Sequence, residues 1–113
     1  MAALPLERLD LRPGHLAMVR ALLAEYLPAA EVLAFGSRVQ GTGHEASDLD
    51  LVVRRPDAVL EVTTTLSALR EALIDSDLPI RVDLLDWADI PRSFQREIER
   101  AYVVVQAAPR RPH

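Results

Sequence analysis

The stretch Glu31-Val32-Leu33-Ala34-Phe35-Gly36-Ser37-Arg38-Val39-Gln40-Gly41, followed by Ser47-Asp48-Leu49-Asp50-Leu51, decides how the rest of the chain is read. Residues 31–35 are a short apolar run closed by Gly36, the pattern of a buried strand. A glycine directly after such a strand permits a tight turn and a close backbone approach to a ligand. Ser37 then starts a short helix, and its hydroxyl with the N–H groups around it makes an anion site. Gly41 ends that helical turn, where positive φ is common. In the second segment Leu49, Leu51 and Val53 alternate with Asp48, Asp50 and Val52, which predicts a strand over about 48–54. Asp48 and Asp50 are two apart, so both carboxylates point to one face. Two such carboxylates repel each other, and a divalent cation removes that cost. Mg²⁺ prefers carboxylate oxygens together with substrate phosphates.

Working outward, Leu16, Val19, Leu22, Leu23, Tyr26 and Leu27 recur at helical spacing and predict a helix over 14–27, stopped by Pro28. Asp57 is the expected cap of a helix over about 58–74, with Val59, Val62, Leu66, Leu69 and Leu73 on its stripe. Residues 80–86 read as a third strand. Pro91 opens a helix over about 91–100, and Tyr102 to Val105 form a short last strand. Strands alternating with helices predict an α/β sandwich, a mixed sheet flanked by helices. A single domain over 1–113 is expected, with its core at about 14–105 and a frayed tail over 107–113.

Composition narrows the chemistry. The chain has 113 residues, half of them apolar, a net charge of −4 and no cysteine. A disulfide framework, a thiolate zinc site and a cysteine nucleophile are excluded. Lysine is absent as well, which removes a Walker-type phosphate lysine and a Schiff base. Mild acidity and five scattered aromatics argue against direct nucleic-acid binding. His15, His44 and His113 show no metal-ligand spacing, and Ser37 and Ser47 have no partnered His–Asp set. Trp87 reads as a core or interface residue. No signal peptide and no membrane-length apolar run is visible, so a soluble cytoplasmic protein is expected.

Alone, a Gly-Ser after a strand is a turn, and an Asp-x-Asp is a solvated strand face. Together, in this order and spacing, they resemble the signature of the nucleotidyltransferase superfamily that includes DNA polymerase β. The short chain is most similar to its minimal nucleotidyltransferase (MNT) branch, with a polymerase β-like palm fold. The resemblance covers nearly the whole chain and implies an Mg²⁺-dependent nucleotidyltransferase. Two Mg²⁺ ions would be held by three carboxylates while a nucleoside monophosphate passes from a triphosphate, with ATP the expected donor, to a hydroxyl. Asp48 and Asp50 match the first two acids. Asp83, in Val82-Asp83-Leu84, matches the third, with Asp86 as its rival. Gly36 and Ser37 would bind the β- and γ-phosphates, with Gly41 and Ser47 completing the nucleotide site. Arg38 either assists there or is an ordinary surface arginine. Gln40 stands where the family often carries a basic residue.

MNT proteins of this size resemble the antitoxin half of a two-component system whose partner is a small all-helical HEPN toxin. The resemblance therefore implies AMP transfer to that toxin. The alternatives are a vestigial site on a protein that neutralises by binding, and a small-molecule nucleotidyltransferase. Self-association is left open.

Overall fold

The computed structural model describes residues 3–44, 46–54 and 62–108. Strand β1 (Ala3–Leu4) leads through a 3₁₀ turn at Leu6–Arg8 to helix α1 (Pro13–Tyr26). Then come β2 (Glu31–Phe35), the one-turn helix α2 (Ser37–Gln40), β3 (Leu49–Arg54) and α3 (Val62–Asp75). β4 (Val82–Asp86), a 3₁₀ turn at Trp87–Asp89, α4 (Arg92–Arg100) and β5 (Tyr102–Gln106) complete the described chain. The expected helices and strands are all present, with boundaries moved by a residue or two. The proposed cap Asp57 and the first turn of the 58–74 helix lie outside the described residues.

The five strands form one mixed sheet in the order β1-β5-β2-β3-β4. β2 runs antiparallel to both β3 and β5, while the β3–β4 and β1–β5 pairs are parallel. The expectation of three strands and a short fourth is corrected here. Ala3–Leu4 adds a fifth, paired with Tyr102 and Val103. Two residues carry no period-two signal, so only the neighbouring strand defines them.

β2 is central, and its run Val-Leu-Ala-Phe is buried on both sides. One face of the sheet, with Val32, Ala34, Leu49, Leu51, Val53, Leu84, Val103 and Val105, packs on Val19 and Leu23 of α1 and Leu66, Leu69 and Leu73 of α3. The other face, with Leu33, Phe35, Val52 and Tyr102, packs on Ile98 of α4, and Leu85, Trp87 and Phe94 close its edges. Burying both faces removes several large apolar side chains from water, each worth about 1.5–3 kcal/mol. Trp87, partly buried, packs against this second cluster, with the Arg54 guanidinium 5.2 Å from its ring centroid. Among the described residues no helix is long and apolar enough to cross a membrane.

Candidate active site

The site begins at the β2–α2 junction. Gly36 has φ +80° and ψ −155°, a conformation side chains rarely adopt. Val39 and Gln40 N–H both donate to Gly36 O at 3.0 Å, which winds α2 directly off the strand. Gly41, with φ +79° and ψ 12°, caps the turn in the left-handed region. The Ser37 carbonyl accepts from Gly41 N, from Thr42 N at 3.2 Å and from Gly43 N at 3.1 Å.

β3 brings the acids to this turn. Its antiparallel register pairs Asp50 with Phe35, so the Asp50 carboxylate lies against Gly36. A Cβ on Gly36 would collide with Asp50 Oδ2 and stand 3.3 Å from its Cγ. The parallel register of β3 and β4 then pairs Asp50 with Asp83. Neighbouring strands are about 4.8 Å apart, and residues paired in register face the same way. Asp48, exposed, precedes β3 by one residue. Burial and the nearby carboxylates of Asp83 and Asp48 hold Asp50 above the ordinary carboxylate range. Register therefore sets Asp83, not Asp86, beside Asp50. Asp86 pairs with Val53 and its Oδ1 accepts from Ala88 N at 3.0 Å, capping the 3₁₀ turn. Among the described residues no three His, Cys, Asp or Glu side chains are closed into a metal-sized group. Asp50 and Asp83 are register partners, and Asp48 and Asp83 both act on the Asp50 carboxylate. Carboxylates are the hard oxygen donors that Mg²⁺ takes.

The remaining residues of the motif hold the loop between α2 and β3. Arg38 is only 5% exposed, so it is not a surface arginine. Its Nε donates to Ser47 O at 2.9 Å and its Nη1 to Asp10 O at 2.6 Å, while Asp10 N donates to Arg38 O at 2.8 Å. Ser47 Oγ accepts from His44 N at 2.9 Å, and Ala46 N donates to His44 Nδ1 at 3.2 Å. These contacts fix the entry of β3 and with it Asp48. Sequence reading missed Gly43. A Cβ there would stand 3.2 Å from both the carbonyl carbon and Oγ of Ser37, so the loop folds back onto the first residue of α2. The signal available was a third glycine within eight residues. Beyond Gly36, Phe35 and Phe94 pack edge to face with centroids 5.7 Å apart. With Gln40, Glu97 and Ile98 they line a cavity of about 170 Å³.

Comparison with known proteins gives the family. The nucleotidyltransferase domain family matches residues 16–110. The "Probable protein adenylyltransferase MntA" of Haemophilus influenzae is 41% identical over 99 residues, covering 88% of this chain and 85% of that protein. A solved toxin–antitoxin structure with AMP-PNP superposes with a TM-score of 0.61 at 25% identity, covering 82% of this chain and 73% of that one. A mutant MntA–HpeT toxin–antitoxin structure gives a TM-score of 0.64 at 22% identity over the same shares, a likeness of fold.

Proposed function

The chain belongs to the nucleotidyltransferase domain family, and from that premise we propose that it transfers AMP from ATP to a hydroxyl of a partner protein. The partner we infer is a small helical HEPN-type toxin, for which this chain is the antitoxin, working in the cytoplasm. Support comes from the adenylyltransferase relative at 41% identity and from the toxin–antitoxin structure with AMP-PNP. The observation that carries the reading is the juxtaposition of Gly36, Asp50 and Asp83 across three adjacent strands.

Each residue then has a task. Gly36 and Ser37 receive the β- and γ-phosphates at the start of α2, and the missing Cβ of Gly36 leaves room for the Asp50 carboxylate beside them. Gly41 and Gly43 shape the turn, and Arg38 and Ser47 hold its far side. Asp48, Asp50 and Asp83 would hold Mg²⁺, which would offset the burial and the like-charge repulsion that raise Asp50. Mg²⁺ held by these acids would supply the charge that lowers the pKa of the attacking hydroxyl and balances the leaving pyrophosphate. The acceptor oxygen bonds to the α-phosphorus, the α–β bridging P–O bond breaks, and pyrophosphate leaves. Asp83, exposed at the side of the pair, takes the hydroxyl proton.

The test mixes purified toxin, Mg²⁺ and ATP labelled at the α-phosphate with wild type or Asp83→Asn. Wild type is expected to label the toxin, and Asp83→Asn to lower the rate by about 10²-fold or more. Neutralisation of the toxin without any label from wild type would replace this reading with a binding antitoxin.

A further inference from the structure

We propose that Arg81 is a catalytic residue of the transfer, donating from its guanidinium to a non-bridging oxygen of the α-phosphate as the acceptor oxygen attacks. The inference rests on the transferase reading above, and it adds the side chain that meets the transferred group.

Strand alternation places Arg81 among the acids. Leu78, Ile80 and Val82 pack with Leu84 against the α1 and α3 side of the core, whereas Leu85 packs on the α4 side. Side chains along a strand alternate in face, so Arg81 and Asp83 share the α4 side with Leu85. Leu49 N donates to Arg81 O at 2.9 Å, which carries the β3–β4 pairing one residue beyond Leu49 and Val82. Asp48 and Arg81 each precede their strand by one residue and continue that register. At sheet spacings Arg81 stands about 4.8 Å across from Asp48 and about 6.6 Å along the chain from Asp83.

Three carboxylates and a triphosphate leave negative charge in excess even with Mg²⁺ bound, and the chain has no lysine. The phosphate turn brings one cation, Arg38, whose guanidinium is buried on the Asp10 and Ser47 carbonyls. Arg54 pairs with Glu31, and Arg70 donates to Leu84 O. Arg81 is exposed, and its guanidinium has no hydrogen bond or ion pair with another described residue. Sheet order sets which part of the triphosphate it meets. The turn follows β2, and Asp50 and Asp83 lie on β3 and β4. With pyrophosphate over Gly36 and Ser37, the α-phosphorus lies over Asp50 and Asp83, and Arg81 borders that end. A planar guanidinium matches phosphate oxygens, and donors aimed at charge that develops in the transition state speed the step. The acceptor oxygen still bonds to the α-phosphorus, pyrophosphate still leaves and Asp83 still takes the proton, while Arg81 keeps its own.

Arg81→Ala and Arg81→Lys change an exposed side chain, and melting curves check that both fold. Toxin and α-labelled ATP with Mg²⁺ give kcat and KM, and calorimetry gives the dissociation constants for toxin and for Mg·AMP-PNP. Arg81→Ala is expected to lower kcat by about 10²–10³-fold while both dissociation constants stay within about twofold. Arg81→Lys should recover about tenfold of that loss, since it keeps the charge without the fork. The two α-thio diastereomers of ATP supply a readout that a structural role would not move. One of them should be slow with wild type in Mg²⁺ and in Mn²⁺ alike, because its sulfur faces Arg81, and Arg81→Ala should lose that slowing. Wild-type kcat in Arg81→Ala would overturn the proposal. So would a fall in kcat that left the slowing by sulfur in place, or one matched by an equal loss of toxin affinity, which would make Arg81 a docking residue. A wild type that labels no toxin would overturn the transferase reading first, and the proposal with it.

Discussion

Gly36 is held by two independent constraints. Its φ of +80° disfavours any side chain, and its Cα hydrogen points at the space filled by Asp50 Oδ2. Gly41 shares the positive φ, yet a Cβ there meets nothing within 4 Å. Gly41→Ala should lower stability by about 1 kcal/mol, the backbone term alone. Gly36→Ala should lower it by about 1–3 kcal/mol and also abolish nucleotide binding, because Asp50 must move. Urea denaturation of the two variants separates the terms, and equal losses would remove the contact from the account. Asp50 supplies a pH-dependent counterpart. Folded Asp50 binds its proton more tightly than the unfolded chain, whose carboxyl titrates near 3.8. Stability therefore falls as pH rises through the interval from 3.8 to the raised folded value, and the penalty is complete above it. In EDTA, Asp50→Asn should be more stable than wild type at pH 7, with the advantage vanishing below about pH 4. Thermal melts at the two pH values check this, and a destabilised Asp50→Asn at pH 7 would show that the carboxylate makes a favourable contact instead.

At the scale of elements, α2 has one turn and cannot hold itself. Its position comes from Gly36 O on one side and from buried Arg38 on the other, which joins the Asp10 and Ser47 carbonyls. Arg38→Ala should lower stability by about 3 kcal/mol by stranding those carbonyls. Arg38→Lys should recover little, since one ammonium cannot span both acceptors. An Arg38→Lys variant that keeps wild-type stability in urea and loses only ATP affinity would instead make Arg38 a phosphate contact. This residue also marks where the sequence stopped being legible. Leu49, Leu51 and Val53 announce β3, because a strand with one core face must alternate, and the same alternation put Asp48 and Asp50 on one side. Nothing local separates a buried arginine bonded to backbone carbonyls from a solvated one. The Asp10 and Ser47 carbonyls that it binds are distant or irregular backbone. The partnership of Asp50 with Asp83 is likewise a fact of register between strands joined by a crossover. Val82-Asp83-Leu84 alone leaves Asp83 and Asp86 both open. β1 is recognisable only from its partner β5.

At the scale of the molecule, the proposed site draws on three strands that meet only in the sheet. β2 delivers Gly36, β3 delivers Asp48 and Asp50, and β4 delivers Asp83. A ligand that bridges all three binds the folded chain and not the unfolded one, so it stabilises the whole domain. At a free concentration of one hundred times its dissociation constant, that amounts to about 2.7 kcal/mol. For a domain of this size the gain corresponds to a rise in Tm of roughly 10 °C. AMP-PNP with Mg²⁺ should produce that shift in wild type, and EDTA should abolish most of it. Asp48→Asn with Asp50→Asn should show no shift in Tm with the nucleotide, although its metal-free form melts no lower than wild type once the like charges are gone. An equal rise in the double variant would mean that the nucleotide binds away from β2 and β3.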